Sequence, residues 1–461
     1  MKITVKNLGA LKKAEFSLGD ITIICGENNT GKSYATYALF GFLSNWRKVV
    51  NLTLPKAGLD ELLGDGIIQI DLQDYLDNLQ NILLDAGKEY TKTLPDVFAT
   101  NPDHFKGTEF SIEVKPNQKT FDQYHKSEIG SEKTQFFQIR KEASSSQVTV
   151  TLLAEKDQIG LPRDIIDKVI VDTLRDILFQ NLFPNVFIAS VERTGTSIFR
   201  KELNFARNRL LEELIQSTKD VNPLALFSKD YDNYALPIRK NVEFTRNLES
   251  VVKQQSFIAQ EHPQVLQEFA QIIGGEYQVT DNDELYYMPD QQQIRLSMDE
   301  SSSAVRSLLD IGFYLKHIAK LNDLLMVDEP ELNLHPENQR RLARLFARLA
   351  NIGVKVFITT HSDYIIKELN TLLMLNQDKS YLKRIAQEEG YQSEELLSVD
   401  KVKAYLAEKR PLELSDDSQK THYQTLIPAK ITSDFGIEIT SFDTAINEMN
   451  RIQESIVWEE D

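Results

Sequence analysis

Residues 21–33 constrain the fold most, because the apolar run Ile21-Thr22-Ile23-Ile24-Cys25 leads straight into Gly26-Glu27-Asn28-Asn29-Thr30-Gly31-Lys32-Ser33. The octet fits G-x-x-x-x-G-K-[ST], and residues 32–44 continue with helical character. Together they predict a buried strand, a tight turn and a helix, the context in which this pattern holds phosphate. Successive N–H groups of such a turn converge, and the helix N-terminus adds the positive end of its dipole. Gly26, Asn28, Asn29, Thr30 and Gly31 are therefore expected to line a polyphosphate. Lys32 would reach the β- and γ-phosphates, and the Ser33 hydroxyl would ligate a bridging Mg²⁺. Taken alone, the octet also reads as a Gly-rich turn with a chance lysine.

A second apolar run, Leu324-Leu325-Met326-Val327, ends in Asp328-Glu329-Pro330. Strands buried on both faces of a parallel sheet read this way, and ligands bind at their C-terminal ends. Asp328 is expected to hold Mg²⁺ through water and Glu329 to orient an attacking water. The simpler reading of the pair is a solvated strand end or helix cap. Residues 354–359 form another apolar run, followed by Thr360-His361-Ser362. The end of a neighbouring strand would bring His361 beside the two carboxylates as a γ-phosphate sensor; otherwise it is a satisfied polar residue at a sheet edge.

The remaining sequence bounds the setting. The 461 residues suffice for two or three domains, or for one nucleotide-binding domain with insertions. The first residues enter a strand pattern without a signal-peptide core, and no apolar run approaches the roughly 18 residues of a membrane span. A cytoplasmic location without a membrane partner is the expectation. The single cysteine, Cys25, excludes a disulfide framework or thiolate metal cluster and reads as a packing residue. A net charge of −17 argues against coating nucleic acid by charge alone. The basic run Arg340-Arg341-Leu342-Ala343-Arg344 reads as a solvated or interface face of a helix.

Strands are expected at residues 2–6, 14–18, 109–114, 136–139, 148–153 and 186–190, with a small meander at 277–280, 284–288 and 293–297. Helices are expected at 75–84, 197–216, 239–255 and 264–273, the last stopped by Gly274-Gly275. The tail predicts strands at 402–406, 426–432 and 436–439 and a helix at 442–456.

The order of phosphate loop, Ser-rich helix start, Val327-Asp328-Glu329-Pro330 and Thr360-His361-Ser362 resembles the ABC-type ATPases, within the branch of structural-maintenance-of-chromosomes, RecF-like and OLD-family proteins. Asp328-Glu329-Pro330-Glu331-Leu332-Asn333-Leu334-His335-Pro336 and Thr359-Thr360-His361-Ser362-Asp363 look especially like the OLD-type ATPases of prokaryotic anti-phage systems. Their usual form is D-E-P-E-x-x-L-H-P followed by T-T-H-S. The resemblance covers residues 1–45 and 275–370. It implies an α/β fold: an ABC-type P-loop ATPase head, a mixed sheet with flanking helices, an inserted α+β lobe and a small C-terminal α/β extension. The implied division is 1–45 and 184–375 for the head, 46–183 for the lobe and 376–461 for the extension.

The resemblance also implies two subunits, with the ATP on one head closed over by the signature segment of another. Aligning Arg306-Ser307-Leu308 with the end of L-S-G-G-x-x-x-L places Ser302 at the signature serine, with Ser303 and Ala304 where the pattern has glycines. Read from residues alone, the serine cluster is a helix N-cap. Asn333 and His335 fall in the segment that would face the partner head. Glu192-Arg193 reads as a surface ion pair, although related bacterial ATPases share an E-R pair, and Lys12-Lys13 reads as a solvated pair in a loop.

OLD-family nucleases add a Toprim domain that needs Asp-x-Asp. That spacing occurs only at Asp230-Tyr231-Asp232 and Asp281-Asn282-Asp283, both read as turns. The chain is therefore expected to lack a nuclease. It is expected to form homo-oligomers through its heads and, with ATP and Mg²⁺, to gate a separately encoded HNH or Toprim effector. Septu-type and PARIS-type systems resemble this arrangement, with DNA or a phage component as trigger. A scaffold with little turnover and a RecF-like repair ATPase are the alternatives.

Overall fold

The run Ile21–Cys25 is a strand with all five residues buried, and the main sheet is built on it. The computed structural model describes residues 1–55, 58–116, 121–130, 135–154, 162–200, 234–280, 284–290, 292, 294–411 and 422–458. Eight of the nine strands of the main sheet are β1 (Lys2–Leu8), β2 (Leu11–Ser17), β3 (Ile21–Cys25), β4 (Val186–Ala189), β5 (Leu324–Asp328), β6 (Lys355–Thr360), β7 (Val402–Pro411) and β8 (His422–Pro428). They run in the order β1-β2-β8-β7-β3-β6-β5-β4. β3 has parallel neighbours on both sides, β6 and β7, and β5 pairs in parallel with both β6 and β4. Strands in such positions are covered on both faces, which explains why β3 and β5 lack a polar alternation. β8 runs antiparallel to β7 and parallel to β2. This is the mixed α/β sheet with flanking helices expected from the sequence.

Two strands of the tail region thus lie inside the sheet, and β7 is in direct register with β3 from Val402 against Ile21 to Leu406 against Cys25. The expected strand over 426–432 is divided: β8 ends at Pro428, and Ile431–Thr432 pairs instead with Gly436–Ile437. Proline has no N–H to continue a ladder. Lys12 and Lys13 sit within β2 and not in a loop, with Lys12 Nζ 5.6 Å from the Tyr423 ring and Lys13 3.9 Å from Glu15. The helix expected over 239–255 is two, Leu236–Arg246 and Leu248–Val251. Of the helix expected at 197–216, and of the Asp230 and Asp281 turns, residues 201–233 and 281–283 lie outside the described residues.

The chain divides into two compact units. One comprises Met1–Thr4, Phe42–Thr93 and Glu109–Pro184. It contains an antiparallel sheet ordered Ile67–Asp71, Gln147–Leu152, Gln135–Lys141, His125–Gly130, and an aromatic core in which Phe42 meets Tyr90, Phe110 and Phe183. The other comprises Val5–Gly41, Leu94–Thr108 and Asn185–Asp461 and holds the residues singled out by the sequence motifs. In it the meander forms as expected, as the antiparallel strands Gly275–Val279, Leu285–Pro289 and Leu296–Ser297.

The helix Pro336–Asn351 buries Leu342, Leu345, Phe346 and Leu349 against the sheet's core cluster, an i, i+3, i+4, i+7 stripe. Arg340 and Arg341 are exposed, as on the solvated face expected, and the arginines of this helix are also paired within the chain. Arg340 bonds the buried Glu368 at 2.7 Å, Arg344 bonds Glu395 at 2.7 Å, and Arg348 bonds Glu268 at 3.0 Å. His335 caps this helix, its ring accepting from the Glu337 N–H at 3.3 Å.

Because β7 pairs with the strand that feeds the phosphate loop, deleting residues 402–461 is expected to abolish the folded state. A truncated chain with a cooperative thermal transition like that of the full chain, followed by circular dichroism, would contradict this topology.

Candidate active site

The loop after β3 reverses tightly through residues that need unusual backbone angles. Gly26 has φ +145° and Gly31 φ +96°. A Cβ on Gly26 would lie 2.5 Å from the Ala407 carbonyl oxygen of β7, and one on Gly31 2.7 Å from Leu11 Cγ, so both positions exclude a side chain. Asn29 takes φ +61°, a conformation asparagine tolerates better than most residues. Thr30 closes the turn by donating its hydroxyl to the Glu27 carbonyl at 2.8 Å. Asn28 and Asn29 are exposed, while Thr30 and Lys32 are buried. Lys32 opens the helix Lys32–Val49 and donates its ammonium to the carbonyls of Gly26 and Glu27 at 2.9 and 2.7 Å. Burial lowers its pKa, and Glu329, Asp328 and Glu331 oppose that shift. Cys25 is buried, its thiol donating to the Tyr405 carbonyl at 3.5 Å and pushed up to about 12 by burial.

β5 delivers Asp328 to the same place. Ser33 Oγ donates to Asp328 Oδ2 at 3.1 Å, and Thr359 of β6 donates to Asp328 Oδ1. Burial raises the Asp328 pKa, against the two hydroxyl hydrogen bonds that favour the carboxylate. The next residue, Glu329, has φ +50°, and its N–H donates to the Thr359 carbonyl at 3.0 Å. His361 follows β6, with Nδ1 3.8 Å from Glu329 Oε1 and 3.3 Å from Glu331 Oε1. The His361 N–H also donates to Glu331 at 2.8 Å. The structure thus brings Lys32, Ser33, Asp328, Glu329 and His361 together at the C-terminal ends of three parallel strands.

Ser302 is exposed and N-caps the helix Ser303–Ser307, accepting from the Val305 N–H at 3.3 Å.

The family model for an AAA ATPase domain matches residues 1–366. The chain belongs to the AAA ATPase domain family. No curated protein matches the sequence. Among solved structures, the chain is similar to a Smc head domain with an extended coiled coil from Pyrococcus furiosus, bound to the C-terminal domain of ScpA. Identity is 13% and the TM-score 0.30, with 98% of each chain covered. It is also similar to the SMC head domain from Thermotoga maritima, at 9% identity and a TM-score of 0.29, covering 93% of this chain and 98% of that one. A SmcHead bound to the C-winged helix domain of ScpA matches at 12% identity and a TM-score of 0.29, covering 80% and 91%. These overlays are too loose to carry function across.

The donor set of the ATPase domain fits a magnesium-bound nucleotide. Ser33 and Asp328 supply two adjacent hard oxygen atoms, and magnesium keeps several waters and phosphate oxygens besides its protein ligands. Among the described residues no group of three or more His, Cys, Asp or Glu is placed to hold a metal.

Sequence reasoning missed the residues that shape this site from behind. Glu331 stood in the motif without a role, yet it is buried, holds the His361 backbone and leaves Oε2 with no hydrogen-bond partner among the described residues. Thr359 looked like one more strand residue. Arg193, read as half of a surface pair with Glu192, is 1% exposed. Its guanidinium donates to the carbonyls of Asp328 and Glu329 at 2.7 and 2.8 Å, while Glu192 accepts from the Tyr37 hydroxyl at 3.4 Å. No periodicity marks a side chain whose partners are main-chain carbonyls far away in sequence.

Lys32→Ala removes the one ammonium enclosed by the loop carbonyls and is expected to weaken nucleotide binding by at least about a hundredfold, the loss of a buried charge-assisted contact. An unchanged dissociation constant in a fluorescent-nucleotide titration would refute that role.

Proposed function

We propose that this ATPase domain binds and hydrolyses Mg·ATP and that its heads associate around the nucleotide to gate a separately encoded effector in anti-phage defence. The observation that carries the first part is the Ser33–Asp328 contact at 3.1 Å, which joins the phosphate loop to the carboxylate strand next to Glu329. Lys32 is buried at the loop, held by carbonyls that it can leave for phosphate oxygens. Ser33 and Asp328 would hold Mg²⁺, which when bound neutralises developing charge on the phosphates. Glu329 is the general base or water-positioning group: its carboxylate stands beyond the strand end, partly exposed, while Asp328 is committed to two hydroxyls. His361 lies 3.8 Å from Glu329 and is held by Glu331, and it would donate to a γ-phosphate.

The second part rests on exposed Ser302 and on the resemblance of residues 328–336 and 359–363 to OLD-type ATPases. A serine at an exposed helix start can bond the terminal phosphate bound by a second copy. Asn333, with φ +61°, and His335 border the same turn as Glu329. The effector is assigned to another polypeptide, of HNH or Toprim type.

Glu329→Gln keeps the shape and removes the base, so single-turnover hydrolysis is expected to fall by about 10²–10⁴ with nucleotide affinity retained. Equal, negligible turnover in wild type and variant would favour a nucleotide-dependent scaffold. Ser302→Arg is expected to leave nucleotide binding to one head intact and to block ATP-dependent association in analytical ultracentrifugation. Association surviving in this variant would remove Ser302 from the interface.

A further inference from the structure

Arg193 donates four hydrogen bonds, all to main-chain carbonyls. It opens the short helix Arg193–Ile198 after β4, and the guanidinium is fully enclosed. Nε donates to the Ser307 carbonyl at 2.7 Å, Nη1 to the carbonyls of Ser190 and Asp328 at 2.7 Å each, and Nη2 to the Glu329 carbonyl at 2.8 Å. Four carbonyls from three separate parts of the chain are thus held by one planar fork. None of these contacts is to a carboxylate. The largest opposing charge acting on Arg193 is Asp310, also fully buried, one helix turn beyond Ser307.

Two of the acceptors are mechanically informative. The Glu329 carbonyl belongs to a residue at φ +50°, a conformation that a side chain with Cβ adopts only when its surroundings impose it. The peptides on either side of the Glu329 Cα are both held, the N–H by the Thr359 carbonyl and the C=O by Arg193. The Ser307 carbonyl lies at the end of the helix whose other end is Ser302. That helix is five residues long and is also held by the Tyr277 hydroxyl, which donates to the Val305 carbonyl at 2.5 Å.

We propose that Arg193 is a positioning residue that couples the Ser303–Ser307 helix to the backbone of Glu329, so that a contact made at Ser302 changes the aim of the Glu329 carboxylate. This rests on the hydrolytic reading of the site given above. A displacement of the helix pulls the Nε bond, and the rigid guanidinium passes it to the two carbonyls that set the turn after β5. Lysine cannot replace this function, because its three donors radiate from one nitrogen and do not span four separated acceptors.

The test uses the full chain with Arg193→Lys. Steady-state hydrolysis is expected to show kcat reduced at least about tenfold with KM and fluorescent-nucleotide affinity within about threefold of wild type. In Arg193→Ala, millimolar guanidinium ion is expected to restore part of kcat while equal ammonium does not. A wild-type kcat in the folded lysine variant, or parallel loss of kcat and affinity in it, overturns the coupling. If neither variant folds, hydrogen exchange in the wild-type protein decides. Coupling requires Mg·ATP to slow exchange over residues 303–308 and 327–331 together in unassociated heads, and slowing confined to 327–331 in those heads overturns it. Absence of turnover in wild type would sink the hydrolytic reading alone, and the same exchange measurement would then decide the coupling.

Discussion

The contact between Asp328 and the two hydroxyls of Ser33 and Thr359 holds the site together. A carboxylate buried to 1% exposure is costly unless its oxygens are bonded, and here each oxygen is served by a different element. One hydroxyl comes from the helix after the phosphate loop and one from β6. The register of the parallel strands makes this possible: Asp328 lies opposite Thr359, and Thr360 lies opposite Cys25, so the three strand ends are level. Glu329 and His361 are then carried one residue beyond their strands into the same space.

Strain and burial concentrate around that contact. Glu329 takes a left-handed backbone, Glu331 turns a buried carboxylate onto the His361 peptide, and Arg193 donates four hydrogen bonds to carbonyls. These are the features expected where a scaffold over-determines the position of a few reactive groups. The wider surroundings are quieter electrostatically than the sequence suggests. Arg340, Arg344 and Arg348 are joined to Glu368, Glu395 and Glu268, while Arg340 and Arg341 keep exposed side chains.

The phosphate loop also depends on a part of the chain remote in sequence. Gly26 lies against the Ala407 carbonyl, and Cys25 donates to the Tyr405 carbonyl. Residues 402–411 were grouped by sequence with a tail, because alternating apolar residues after a helical stretch give no sign of which sheet they enter. The structure inserts them beside β3, so a segment more than 370 residues away supports the turn that holds phosphate.

What the sequence determined by itself was a set of elements with strong local signals. The apolar runs of β3 and β5, the Gly26–Gly31 spacing, the stop at Gly274 and the carboxylate pair 328–329 were legible because each depends on neighbours within a few positions. The family likeness added the order of those pieces. Only the tertiary structure decided which strand ends are level, that Arg193 is buried behind the carboxylates, that Glu331 supports His361, and that β7 backs the phosphate loop. Those facts rest on contacts between main-chain groups and distant side chains, and neither hydrophobic period nor residue spacing records which carbonyl a guanidinium will find once the sheet has closed around it.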